Sequence, residues 1–80
     1  MDINNKVKVM KNLIVMIEET VFTKEMELEF ANLEKLTDKS WQPFVEKTQY
    51  EIKVLTSKLA FYEARLKEFE NENSNDTESR

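Results

Sequence analysis

The chain has 80 residues, so it forms one small domain at most, and domains of this size need well-patterned helices, self-association or a partner to become stable. It contains no cysteine, histidine or glycine, which excludes disulfides, thiolate and imidazole metal ligands, and the glycine-rich loops that bind phosphate. Its net charge of −4 disfavours nucleic acid as a partner, because such binding normally requires a basic surface.

The first half of the chain has the pattern of a long helix. An apolar residue recurs every three or four positions, first at Val7, Met10, Ile14, Ile17 and Val21, and then, one position further round the helix, at Phe22, Met26, Phe30, Leu33 and Leu36. We therefore expect helix 1 to cover residues 4–36. The change of stripe allows a kink near residues 20–23, where Thr23 is a candidate N-cap for a separate, shorter helix.

A strand is the alternative for part of this half. The segments KVKV and EMELEF alternate with a period of two, and LIVMI, residues 13–17, could be a buried strand. Without glycine or an Asn-Gly turn a hairpin is hard to close, so the helix is preferred. A membrane-spanning helix needs roughly 20 apolar residues, and LIVMI is too short. The segment also lacks a signal-peptide cleavage site, so we expect a cytoplasmic protein that has no membrane partner.

A break between two helices is predicted at residues 37–40. Ser40 is a candidate N-cap for the second helix, because a serine hydroxyl can accept a free amide of the first helical turn. Pro43 then falls within that first turn, where its missing N–H costs little.

The second half has the most regular pattern in the chain. Its apolar residues follow steps of four and three without a slip, with one threonine among them: Trp41, Val45, Thr48, Ile52, Leu55, Leu59, Tyr62, Leu66 and Phe69. This is a heptad pattern, and it predicts helix 2 over residues 41–70. The expected fold is all-α, an antiparallel, coiled-coil-like two-helix hairpin over residues 1–70. Residues 71–80 contain no apolar side chain and are predicted to be a disordered acidic and polar tail.

An aromatic- and glutamine-containing segment, WQPF at Trp41 to Phe44, opens the second helix. In size and in this layout the chain resembles the small co-chaperones that hold needle subunits in type III secretion, which are also short helical hairpins. Small phage-encoded regulators that bind a host protein look similar. The resemblance implies a helper protein that acts by binding other proteins.

The chain carries more apolar side chains than one hairpin can bury. The candidate partner-binding residues are Leu13, Met16, Tyr50, Val54 and Phe61, together with Trp41 and Phe44, which could instead plug the end of the hairpin beside the turn. Either a bent helix 1 covers much of this surface, or the hairpin is completed by a second copy or by a helix from another protein.

These observations predict a non-enzymatic protein–protein interaction module, such as a small regulator, inhibitor or chaperone-like adaptor, with a homodimer as the first expectation. No catalytic residue, metal ligand or cofactor site is predicted. One alternative is a structural subunit of a larger coiled-coil assembly. Another is a nucleic-acid-binding regulator that uses the basic amino-terminal residues Lys6, Lys8 and Lys11.

Overall fold

The computed structural model describes the backbone of residues 1–78 and the side chains of residues 1–73. Helix α1 runs over Ile3–Lys35, a short 3₁₀ helix over Lys39–Trp41, and helix α2 over Gln42–Glu78. The two long helices pack against each other in an antiparallel hairpin, and no strand occurs in the described part of the chain. The predicted all-α hairpin and its turn are confirmed.

The structure describes only part of the predicted tail, residues 71–80. The backbone of α2 continues to Glu78, eight residues beyond the predicted end of helix 2, whereas the side chains from residue 74 onward lie outside the described residues. Disorder over residues 71–80 therefore stays a prediction.

Helix α1 is continuous through the segment where a kink was allowed. Its start is capped by Asp2, whose Oδ1 accepts a hydrogen bond from the Asn5 amide at 2.8 Å. The hydroxyls of Thr20 and Thr23 donate to the carbonyls four residues earlier, at 2.9 and 3.1 Å. Both threonines are thus satisfied inside one helix, and the expected N-cap role of Thr23 was wrong.

The turn is organised by Asp38 and not by Ser40. The Asp38 carboxylate accepts the Ser40 backbone amide at 3.0 Å and the Ser40 hydroxyl at 2.7 Å. The predicted cap role of Ser40 was wrong, because Ser40 lies inside the 3₁₀ helix and the side chain that caps this helix is that of Asp38. Pro43 lies in the first turn of α2, as predicted.

The two helices meet along an unbroken heptad pattern that we call the seam. In α2 it consists of the predicted residues from Trp41 to Phe69. In α1 it consists of Ile3, Val7, Met10, Ile14, Ile17, Val21, Lys24, Leu28 and Ala31. All of these residues are buried or half-buried, and Ile17, Ala31, Val45 and Thr48 are the most deeply buried.

The second stripe of α1 does not lie in the seam, contrary to the sequence-based expectation. Phe22, Met26, Phe30 and Leu33 are 43% to 66% exposed, and Leu36 is exposed as well. A change of stripe by one position would rotate the buried face by about 100° and turn it away from α2. Because the seam of α2 never changes phase, α1 keeps its own phase, and it does so by accepting Lys24 and Ala31 in place of larger apolar residues.

Thr48 is the one buried polar side chain among the described residues, and its Oγ1 has no hydrogen-bond partner. A buried polar group without a partner costs about 1–3 kcal/mol. The seam therefore contains a local defect at Thr48.

Thr48→Val is expected to raise the free energy of unfolding by about 1 kcal/mol, because it removes the unpaired hydroxyl and keeps the shape of the side chain. Urea unfolding at a fixed chain concentration measures the change. Thr56→Val is the matched control, since the exposed Thr56 hydroxyl donates to the Ile52 carbonyl at 2.8 Å and its loss brings no gain. Equal effects of the two substitutions would contradict the assignment.

Asp38→Ala is expected to lower the melting temperature at neutral pH. The hydrogen bonds from the Ser40 hydroxyl and backbone amide lower the pKa of Asp38 below its ordinary value of 3.8. A lowered pKa means that the stabilisation is present above the unfolded-state pKa and is lost as the pH falls through the folded-state pKa. The difference between Asp38→Ala and the parent chain should thus shrink towards about pH 2.

Circular dichroism melts over this pH range test the prediction, with Lys39→Ala as a control in the same turn. A deficit of Asp38→Ala that has the same size at neutral and acidic pH would show that the carboxylate is not the stabilising group.

Candidate partner-binding flank

A groove with aromatic walls lies beside the turn, and we call it the turn groove. It has a volume of about 700 Å³ and is lined by Phe22, Thr23, Met26, Glu27, Phe30, Trp41 and Phe44. Trp41 stands between the other two aromatic residues that flank it: its ring lies 5.8 Å from that of Phe30 and 5.7 Å from that of Phe44, both edge to face. This geometry is favourable for aromatic pairs, so the walls of the groove support one another.

Small seam residues and large neighbours together build this groove. Ala31 and Val45, in the seam near the turn, are buried, and neither extends far beyond the helix. The large rings of Phe30 and Phe44 lie just outside the seam, where they remain 55% and 39% exposed. At this end of the hairpin, these large apolar side chains thus lie on the surface and not between the two helices.

A second groove, the middle groove, has a volume of about 340 Å³ and is lined by Thr20, Lys24, Tyr50, Glu51, Val54 and Leu55. Tyr50 and Val54 were both predicted to bind a partner, and both are exposed. Their side chains form an apolar rim on α2, while Thr20 belongs to α1. The groove therefore spans the line between the two helices.

Lys24 links the two grooves and shows that they lie on the same side of the hairpin. Its ammonium group is 3.7 Å from the Glu27 carboxylate, in the turn groove, and 3.3 Å from the Glu51 carboxylate, in the middle groove. The side chain starts in the seam and carries its charge out to this surface, as long cationic side chains commonly do. We call this side of the hairpin the apolar flank.

The apolar flank continues towards the open end of the hairpin. Residues seven positions apart lie on nearly the same side of a helix, because two turns take about 7.2 residues. Leu13 lies seven residues before Thr20, and Met16 seven before Thr23, while Phe61 lies seven after Val54. These three predicted residues therefore extend the apolar surface beyond the middle groove.

On the opposite flank, the residues that border the seam are polar, and the exposed Val15 lies further out on that side. There the two helices are joined by an ion pair between Lys11 and Glu70, at 3.8 Å. The residues at heptad spacing from that pair are Asn4, Glu18, Glu25, Asn32, Gln42, Gln49, Thr56 and Glu63. One side of the hairpin is thus suited to water and the other to an apolar partner.

The structure brings together the residues predicted from the sequence and adds others. Trp41 and Phe44 line the turn groove, and Met16, Tyr50, Val54 and Phe61 are exposed on the same flank, while Leu13 is half-buried. The residues that sequence reasoning missed are Phe22, Met26 and Phe30, which it had assigned to the core. The signal that could have found them is the uninterrupted continuation of the α1 heptad through Leu28 and Ala31.

The amino-terminal lysines do not form a common basic surface. Lys6 lies over the Phe69 ring, 5.8 Å from its centroid, on the apolar flank, whereas Lys11 pairs with Glu70 on the polar one. Among the side chains of residues 1–73, no three acidic groups converge as a metal site would require, and within residues 1–78 neither helix has an apolar stretch long enough for a bilayer.

The emission of Trp41, the only tryptophan, reports on the turn groove. Phe30→Ala is expected to shift this emission to longer wavelength and to increase its quenching by iodide, because it removes an edge-to-face neighbour and exposes the indole. Val15→Ala, which truncates an exposed residue about four turns away on α1, should change neither property. An unchanged spectrum of the Phe30→Ala variant would contradict the observed aromatic contact.

The chain was compared with family models, curated proteins and solved structures, and it matches none of them. The resemblance to small helical-hairpin co-chaperones therefore remains one of layout.

Proposed function

We propose that the protein is a non-enzymatic interaction module that binds other polypeptides by helix packing against the apolar flank. The observation that carries the proposal is the concentration of large apolar side chains on one side of the hairpin, with a polar surface on the other. Monomeric proteins rarely leave such a surface in water, and those that do use it for binding.

The energetics of burial favour this role. Covering one side chain of the size of Phe or Leu contributes about 1.5–3 kcal/mol. Phe30, Tyr50, Val54 and Phe61 are each about half exposed or more, so a partner that covered them would gain several kcal/mol towards the cost of association. Trp41 and Phe44 supply the rigid aromatic anchors that are typical of interface centres.

The shape of the flank indicates which kind of partner fits. The two grooves follow one another along the line between the helices, and the surface between them is crossed by Lys24 with its two carboxylates. A helix that lies along the hairpin can place apolar side chains in both grooves and polar ones at the ion pairs. The flank therefore suits helical partners, and the charges near Lys24 select among them.

Val54→Glu is expected to weaken binding through the flank about tenfold, because it places a charge on the rim of the middle groove. Ala60→Glu is the matched control: it adds the same charge to an exposed position of the same helix, next to Glu63 on the polar flank. Affinity capture with the tagged chain from its source cells should recover polypeptides with the parent chain and with Ala60→Glu, and about tenfold less of them with Val54→Glu.

Circular dichroism of both variants establishes that they remain helical. Recovery of the same polypeptides by both variants, in equal amounts, would show that binding does not use the apolar flank. Recovery of none by the parent chain would remove the proposed function.

A further inference from the structure

We propose that a second copy of this chain covers the apolar flank, in an antiparallel arrangement that completes a four-helix bundle. This inference rests on the proposed function, since it names the partner of the same surface. It is carried by the distribution of charge along the flank and by the area that the flank offers.

The charges that border the seam on this flank change sign along the hairpin. In the half near the turn they are acidic, at Glu27, Glu34 and Glu51; in the half near the open end they are basic, at Lys6, Lys58 and Arg65. Five of these six side chains contact a partner within their own hairpin: Glu27 and Glu51 bind Lys24, Lys58 lies over the Tyr62 ring, and both Lys6 and Arg65 lie over the Phe69 ring.

Basic residues in the half near the turn and acidic residues in the half near the open end are already paired, or lie further from the seam or at the ends of the hairpin. Lys24 is already shared between two carboxylates. Lys47, Glu68 and Asp2 lie one helical position further from the seam, where Glu68 binds Arg65 and Asp2 caps α1. Lys35 lies at the last position of α1, beside the turn, and Glu72 lies at the extreme open end. The charges that a face-to-face partner meets first are thus acidic at one end of the flank and basic at the other.

Two arrangements can bring identical flanks face to face about a two-fold axis. If the axis runs along the hairpin, both turns lie at the same end, and acidic residues meet acidic residues. If the axis crosses the hairpin, the turn of each copy lies over the open end of the other, and acidic residues meet basic ones. Only the second arrangement is electrostatically complementary, and like charges in the first would oppose association.

The axis that crosses the hairpin also determines which residues of the two copies face each other. It passes close to Thr20, near the middle of α1, so Lys6 of one copy faces Glu34 of the other, because both lie fourteen residues from Thr20. By the same spacing, Leu13 of each copy lies at the level of Glu27, in the turn groove of the other, and Met16 lies at the level of Lys24, at the edge of that groove.

The area of the flank is sufficient for a stable dimer. Helix α1 has 33 residues and is roughly 50 Å long, and the hairpin is 17 Å wide. Each copy can therefore bury on the order of 800 Å², the amount per partner in a specific interface of standard size.

Sedimentation equilibrium from micromolar to millimolar chain concentration tests whether the dimer forms. A single dimeric species that dissociates on dilution is expected. A monomer at every concentration, or open-ended growth, would overturn the proposal. If the monomer still captures another protein that Val54→Glu loses, the proposed function stands and only the second copy is wrong as its partner.

Single cysteines test the orientation, since the chain contains none of its own. Thr20→Cys should form an intermolecular disulfide on mild oxidation, because the axis brings the two Thr20 positions together. Glu27→Cys, one heptad away, should not. Failure of Thr20→Cys to cross-link in a sample that sedimentation shows to be dimeric would overturn the antiparallel arrangement.

Charge reversal tests the predicted facing pair of Lys6 and Glu34. Glu34→Lys alone should weaken dimerisation about tenfold, because it creates two like-charge pairs in the symmetric dimer. Lys6→Glu combined with Glu34→Lys restores two opposite pairs and should recover the affinity of the parent chain. A double variant that dimerises as poorly as the single one would contradict the pairing.

Discussion

The hairpin depends on one constraint, namely that the buried faces of two long helices stay in phase along their whole length. The seam of α2 keeps its heptad from Trp41 to Phe69, so α1 can pack against it only by keeping a heptad of its own. A local change of phase in α1 would bury more apolar area for a few turns and would lose contact with α2 beyond that point. Continuity of the seam therefore decides which side chains are buried.

This constraint has a cost that the seam itself shows. Lys24 occupies a position that would otherwise hold an apolar residue, and it reaches out to two carboxylates on the surface. Thr48 is buried with an unpaired hydroxyl. Polar groups in a seam reduce stability, and in coiled coils they are also known to restrict register and choice of partner. Few side chains of this long hairpin are thus fully buried, which is consistent with a protein that gains further stability from association.

The side chains excluded from the seam give the molecule its two different flanks. The aromatic and methionine residues of α1 near the turn are turned outward and meet Trp41 and Phe44, which lie where the chain enters α2. On the other side, positions at heptad spacing are occupied by glutamate, glutamine, asparagine and threonine. In the proposed dimer such a hairpin forms half of a four-helix bundle, and the sign change of charge along the apolar flank favours the antiparallel orientation of the two copies.

The amino-acid sequence alone was sufficient for the architecture and for part of the flank. The absence of glycine, the single proline at Pro43 and the heptad of α2 predicted two helices and the place of the turn, because these are local or periodic properties of one segment. Tyr50, Val54 and Phe61 were predicted to face outward for the same reason: they lie off a seam whose phase is unambiguous.

Only the tertiary structure decided which residues in the second half of α1 are buried. There, two stripes compete, and the more apolar one, with Phe22, Met26 and Phe30, was expected to be buried. Its exposure follows from the phase of a different segment, α2, which local hydrophobicity does not report. The role of Asp38 in the turn was missed for a related reason, since a cap depends on which oxygen the backbone brings within reach. Burial in this protein is set by what the partner helix can contact, and that is a property of the pair.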